Sequence, residues 1–182
     1  MENYQSENDT TSRGMLTGMF RDRESTEKAY NDLSDKGYSK EEINMIMSDE
    51  TRKKHFSGDD IRETEIGTKA AEGAGKGSAI GGTIGAIAGV IAAIGTSLVI
   101  PGLGLVIAGP LAVGLAGAGA GGLAGGVIGA LIGSGIPEER AKLYESGIKN
   151  GNVVLGVHPH NDEDARYFED NWRLNKGEEI YK

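Results

Sequence analysis

The chain contains no cysteine. That absence excludes a disulfide framework, a thiolate nucleophile and a thiolate metal site. It also excludes lipidation of an N-terminal cysteine. Aromatic residues make up only 5% of the chain, and none lies between Gly77 and Pro137. The same stretch has no Asp, Glu, Lys, Arg or His. Acidic residues outnumber basic ones, 27 to 19: the formal net charge is −8 and neither flank is basic, which argues against a nucleic-acid partner. The polar, acidic start, Met1 to Asp9, lacks the basic region and apolar core of a secretory signal. The flanks are therefore expected to be cytoplasmic in a bacterial-type cell, and any membrane insertion must use the central run.

Glycine is what the chain has in excess, with 30 residues. Two ladders recur every fourth position: Gly73, Gly77, Gly81, Gly85 and Gly89, then Gly117, Gly121, Gly125, Gly129 and Gly133. Between them lie Ile100-Pro-Gly-Leu-Gly104 and Gly109-Pro110. Ten interior glycines cost a helix on the order of 10 kcal/mol relative to alanine, so such helices need outside support. A bilayer supplies it by forcing backbone hydrogen bonds inward, and a four-residue glycine stripe supplies it by close helix packing. Gly77 to Val99 and Pro110 to Gly135 each reach the length of one bilayer span, about 20 residues. The spacing predicts a glycine-zipper helical hairpin, with Pro101, Gly102, Gly104 and Pro110 at its turn. A bilayer is the leading environment. The alternatives are a hairpin buried in a soluble homo-oligomer, one that moves between water and membrane, and a disordered or silk-like segment.

The flanks read as α/β structure. Met15–Phe20 is a first strand. A helix capped by Asp22 or Ser25 follows to about Lys36, with Ala29, Tyr30 and Leu33 on one face and Gly37 as its stop. Ser39 to Glu42 is a capping box, and Ile43–Met47 a second strand. Asp49 to Glu65 is charged and shows no helical or strand period. After the run, Pro137 opens a helix with Ala141, Tyr144 and Ile148 on one face, and Gly151 ends it. Val153–Val157 is a third strand. A helix from Asp162 to about Lys176 turns Ala165, Phe168, Trp172 and Tyr167 inward, and 177–182 supplies a short last strand.

The expected fold is therefore α+β, a split β-α-β (ferredoxin-like) head with the hairpin inserted. The expected segments are a disordered tail (1–13), a first half of the head (14–48), a charged linker (49–69), the hairpin (70–136) and a second half (137–182). If the halves pair, both ends of the run lie on one side of the membrane, and two spans is the natural count.

Candidate chemistry is thin. His158-Pro-His160 with Asp162 offers nitrogen and oxygen donors, but the proline holds the backbone extended and a metal needs three or four convergent ligands. Gly73 to Ser78 lacks the leading strand and Gly-Lys-Ser/Thr order of a phosphate loop, and Gly102-Leu-Gly104 lacks a dinucleotide-binding context. The acid pairs Glu41-Glu42, Asp59-Asp60 and Glu138-Glu139 fit helix starts or solvated loops better than catalytic dyads. Arg52-Lys53-Lys54-His55 is either a contact for anionic lipid or phosphate or a solvated stretch balanced by nearby acids. No catalytic, cofactor-binding or metal residue is assigned.

Met15 to Phe20, Asp22 to Ala29, the doubled glycine ladder, Ile100 to Gly104, Ala108-Gly-Pro110 and Gly135 to Glu139 together resemble a bacterial family. They are similar to the general stress proteins of the 17M-like, or heat-induced, type with a glycine-rich apolar insertion. The resemblance covers about Met15 to Asn175. It implies a stress-associated bacterial protein without a defined reaction, and it carries over no catalytic residue.

The sequence thus points to a non-enzymatic, self-assembling stress protein anchored in the bacterial inner membrane, with both termini cytoplasmic and no cofactor. The alternative is a cytoplasmic soluble oligomer acting as a binding or assembly module. A pore is a third reading, weakened because only Thr83, Thr96 and Ser97 offer polar groups to a conduit.

Overall fold

The computed structural model describes residues 14–56, 98–100, 104–117, 126–133 and 135–182. They form a mixed α/β structure around one antiparallel sheet of six strands. The elements are β1 (Leu16–Phe20), α1 (Arg23–Asp35), β2 (Ile43–Ser48), α2 (Asp49–His55), β3 (Leu98–Ile100) and β4 (Leu105–Ala108). Then come α3 (Pro110–Gly117), α4 (Gly126–Gly133), α5 (Glu138–Lys149), β5 (Val153–Val157), α6 (Asp162–Leu174) and β6 (Glu178–Tyr181).

The strand order is β3-β4-β2-β5-β1-β6. β5 lies between β1 and β2 and runs antiparallel to both, pairing Leu16 with Val157 and Ile46 with Val154. β1 in turn lies between β5 and β6. Each β-α-β unit is thus split by a strand from the other, so the two halves of the chain build one sheet. Neither half could close its hydrogen-bond ladder alone.

Strand side chains alternate between faces, and here both faces are covered. On one face Leu16, Phe20, Met45 and Leu155 pack under Ala29 and Leu33 of α1 and Phe168 and Trp172 of α6. On the other, Ile46, Ile107 and Val154 pack under Leu131 of α4 and Ala141, Tyr144 and Ile148 of α5. This double burial explains why β2 and β5 read as nearly unbroken apolar runs. Two glycines elsewhere mark close approaches. Gly147 of α5 leaves no room for a Cβ against the Met19 sulfur, and Gly18 abuts the Trp172 ring.

Local signals set the helix ends. Asp22 accepts the Ser25 N–H at 2.8 Å and caps α1. At the end of α1, Gly37 adopts φ +89° while Tyr38 N–H reaches back to the Leu33 carbonyl. Gly135 and Gly151 end α4 and α5 in the same way. α6 uses Lys176 at that position, at φ +63°.

The structure departs from the sequence reading at four places. Leu98 and Val99, expected at the end of a first long helix, lie in β3, and the Pro/Gly turn joins two strands rather than two helices. β-branched runs either side of a turn pair readily as a hairpin, and β4 finds a partner in β2, from Met45↔Ala108 to Ser48↔Leu105. Pro110 does open a helix, but a positive φ of 61° at Gly126 interrupts the helical path expected to reach Gly135. The start of the charged linker is helical: Ser48 caps α2, and Asp49 bonds Arg52 and Lys53 one turn on. Tyr167 faces outward, 40% exposed. Among the described residues, no helix is long and apolar enough to cross a membrane.

Candidate functional site

The sequence placed its candidate positions on the glycine ladders and the turn. Gly73, Gly77, Gly81, Gly85, Gly89, Gly121 and Gly125 lie outside the described residues, as do Pro101 and Gly102. Gly117 is the last residue of α3, and Gly129 and Gly133 lie in α4. Gly104 sits in the β3–β4 turn at φ +61°. A Cβ at Gly133 would meet nothing within 4 Å among the described residues. What docks α4 is instead its larger side chains. Val127 and Leu131 are buried against the second face, and Ile136, just past the Gly135 stop, folds back into the same cluster.

α3 is fixed by a residue to which the sequence gave no role. Asn44 of β2 is only 2% exposed. Its Oδ1 accepts the Leu111 N–H at 2.8 Å, and its Nδ2 donates to the Gly156 carbonyl at 3.3 Å. Leu111 is in the first turn of α3, where backbone N–H groups have no partner within the helix. A buried amide in β2 therefore holds the start of a glycine-rich helix onto the sheet. The sequence signal was a lone polar residue in the apolar run Ile43–Met47.

A second buried polar cluster holds α5 to the sheet's far edge. The Tyr144 hydroxyl donates to the Glu179 carbonyl at 2.6 Å and lies 2.8 Å from Thr17 Oγ1. Burial pushes the Tyr144 phenol up to about 12, against the Thr17 hydrogen bond. α3, α4 and α5 each leave one large apolar side chain exposed, Val113, Ile132 and Leu143, with Val113 59% exposed.

His160, the most ligand-like position in sequence, is engaged elsewhere. Its ring stacks on Tyr38 with centroids 3.9 Å apart, and its Nε2 lies 2.6 Å from Glu42 Oε1. Tyr38 donates to Asp164 at 2.9 Å and accepts the His160 backbone N–H at 2.7 Å. Burial, reinforced by Asp164, raises the Tyr38 phenol far above its ordinary range, against the His160 N–H. Burial pushes the Glu42 carboxyl up, but hydrogen bonds from His160 and Ser39 outweigh it and hold the group below the usual value. This constellation joins the β5–α6 turn to the loop before β2. Among the described residues, no group of three or more His, Asp or Glu is placed to hold a metal.

No family model matches the chain, and neither the curated proteins nor the solved structures yield a match.

Proposed function

We propose that this chain is a non-enzymatic, self-assembling bacterial stress protein whose ferredoxin-like α/β head carries an apolar segment to the cytoplasmic face of the inner membrane. The observation that carries this reading is how the uncharged run is divided. Its later part contributes β3, β4, α3 and α4, with Ile107 and Leu131 fully buried. The uncharged stretch left before β3 is Gly77 to Ser97.

Along the chain that stretch lies between α2 and β3, both part of the head. Roughly 20 residues supply one crossing of a hydrocarbon core about 30 Å thick, whereas a segment returning to the same head needs two. The glycine-zipper stretch is therefore read as entering the interface without crossing it. The resemblance to glycine-rich general stress proteins supplies the stress association.

Flotation of the detergent-free protein with neutral phosphatidylcholine vesicles tests the membrane reading. The expected result is co-flotation that is lost when Ile80, Ile84 and Ile87 are replaced by Asp. Absence from the vesicle fraction at every lipid ratio contradicts it. A second reading rests on the exposed Val113, Ile132 and Leu143, which suit contact between copies in water. Light scattering without detergent distinguishes it, since a defined large particle with no vesicle binding favours assembly alone.

A further inference from the structure

The charge of the head is unevenly placed. Although the chain is strongly acidic, a cleft of about 370 Å³ opens where the end of β1, α2 and the end of α5 meet. Arg21, Lys54 and Lys149 line it, against a single carboxylate, Glu50. His55, Ser48, Thr51 and Asn150 add polar groups at its wall. A volume of this size accommodates a small ligand, which in general needs on the order of 300 Å³ or more.

Two of the three cations are paired, but only in exposed contacts. Arg21 pairs with Glu178 at 2.8 Å with its side chain 69% exposed, and Lys149 pairs with Glu145 at 3.2 Å. Exposed pairs of this kind contribute only about 0–1 kcal/mol, so an incoming anion displaces them at little cost. Lys54 has no charged partner among the described residues, whereas its neighbours Arg52 and Lys53 are both engaged by Asp49. The walls lie at ordinary contact distance: a Cβ at Gly151, in the turn after α5, would lie 3.8 Å from Thr51 Oγ1. The Gly151 backbone N–H is already bonded to the Ile148 carbonyl, so recognition falls to the side chains.

We propose that this cleft binds a phosphate-bearing anion. A guanidinium and two ammonium groups from three parts of the chain line the cleft, a donor and charge set that suits a phosphate. The shared chemistry is a phosphate mono- or diester, whether a free metabolite or a lipid headgroup.

The test is an amide-shift titration of the full chain with glycerol 1-phosphate, beside flotation with vesicles of phosphatidylcholine alone and with added phosphatidylglycerol. Saturable shifts at Thr51, Lys54, Asn150 and Gly151 with glycerol 1-phosphate support a free phosphate ligand. An increment in flotation on adding phosphatidylglycerol, removed by Lys54→Glu, supports a headgroup. Lys54→Glu should weaken either response at least tenfold, while Lys53→Gln, outside the cleft lining, leaves it unchanged. Lys54 is exposed, and circular dichroism checks that the variant keeps its fold. No saturable shift and no phosphatidylglycerol increment, or equal losses in both variants, overturns the proposal. Binding to neutral vesicles reports on the apolar segment, so the two readings fail independently.

Discussion

Gly109 backs directly onto the Ile43 carbonyl. A Cβ built on it would collide with that oxygen and stand 3.0 Å from the Asn44 Cα. Gly109 also adopts φ +90°, a conformation that L side chains rarely take. The contact joins the end of β4 to the start of β2, where the chain turns into α3. Gly109→Ala should therefore cost more than the roughly 1–3 kcal/mol of backbone strain alone. Thermal unfolding measures it; a melting temperature within a degree or two of the parent contradicts the close approach.

Asn44→Ala leaves the Leu111 N–H and the Gly156 carbonyl without their buried partner. The expected loss is about 1–3 kcal/mol, the penalty for an unsatisfied buried polar group. Hydrogen exchange should show the first turn of α3 opening before the sheet does. Unchanged protection at Leu111 contradicts the staple.

Helix ends offer a paired test of backbone strain. Gly37 has open space where a Cβ would go, but φ +89°, so Gly37→Ala should lose about 1 kcal/mol through strain alone. Lys176 already bears that strain at φ +63°, so Lys176→Gly should gain a comparable amount, about 1 kcal/mol. Urea denaturation reads both. Equal stability of Lys176→Gly and the parent argues against the left-handed cap.

Tyr144 and Asp22 contribute at opposite ends of the pH profile. The phenol of Tyr144 is raised in the folded state, so its contribution is fully present below pH 10 and is lost as pH rises from about 10 to about 12. Tyr144→Phe should flatten that alkaline decline. Asp22 is lowered chiefly by the Ser25 backbone N–H, so its contribution is present above its ordinary value of 3.8 and is lost at more acid pH. Asp22→Ala should cost about 0.5–2 kcal/mol at neutral pH as a lost helix cap, and progressively less as the pH falls below 3.8. Stability curves against pH for both variants check the signs.

The β-α-β halves were legible because each carries local punctuation. Asp22, Gly37 and Gly151 mark helix ends, and Ala141, Tyr144 and Ile148 lie on one face at helical spacing. The two faces of the sheet were harder to see. A strand buried on both sides, such as Val153–Val157, shows no alternation, and a short apolar run fits strand and helix equally well. That ambiguity misplaced Leu98 and Val99: amid a long uncharged stretch they read as helix, although Leu98–Ile100 and Leu105–Ala108 flank a Pro/Gly turn as a hairpin does. α2 escaped notice because it has no apolar stripe; its cap and ion pairs act at three- and four-residue spacing. The cleft was visible only as the run Arg52 to His55. Sequence could not show that Arg52 and Lys53 are occupied or that Arg21 and Lys149 converge near Lys54, because that depends on how distant elements meet.

The central claim is that the later part of the glycine-rich run belongs to the head. Hydrogen exchange on the intact chain, in water without lipid or detergent, tests it most directly. The account predicts that Leu105 to Ala108 are protected as strongly as their β2 partners, Met45 to Ser48. Exchange of β4 within seconds while β2 stays protected, or protection that appears only when lipid is added, would contradict it.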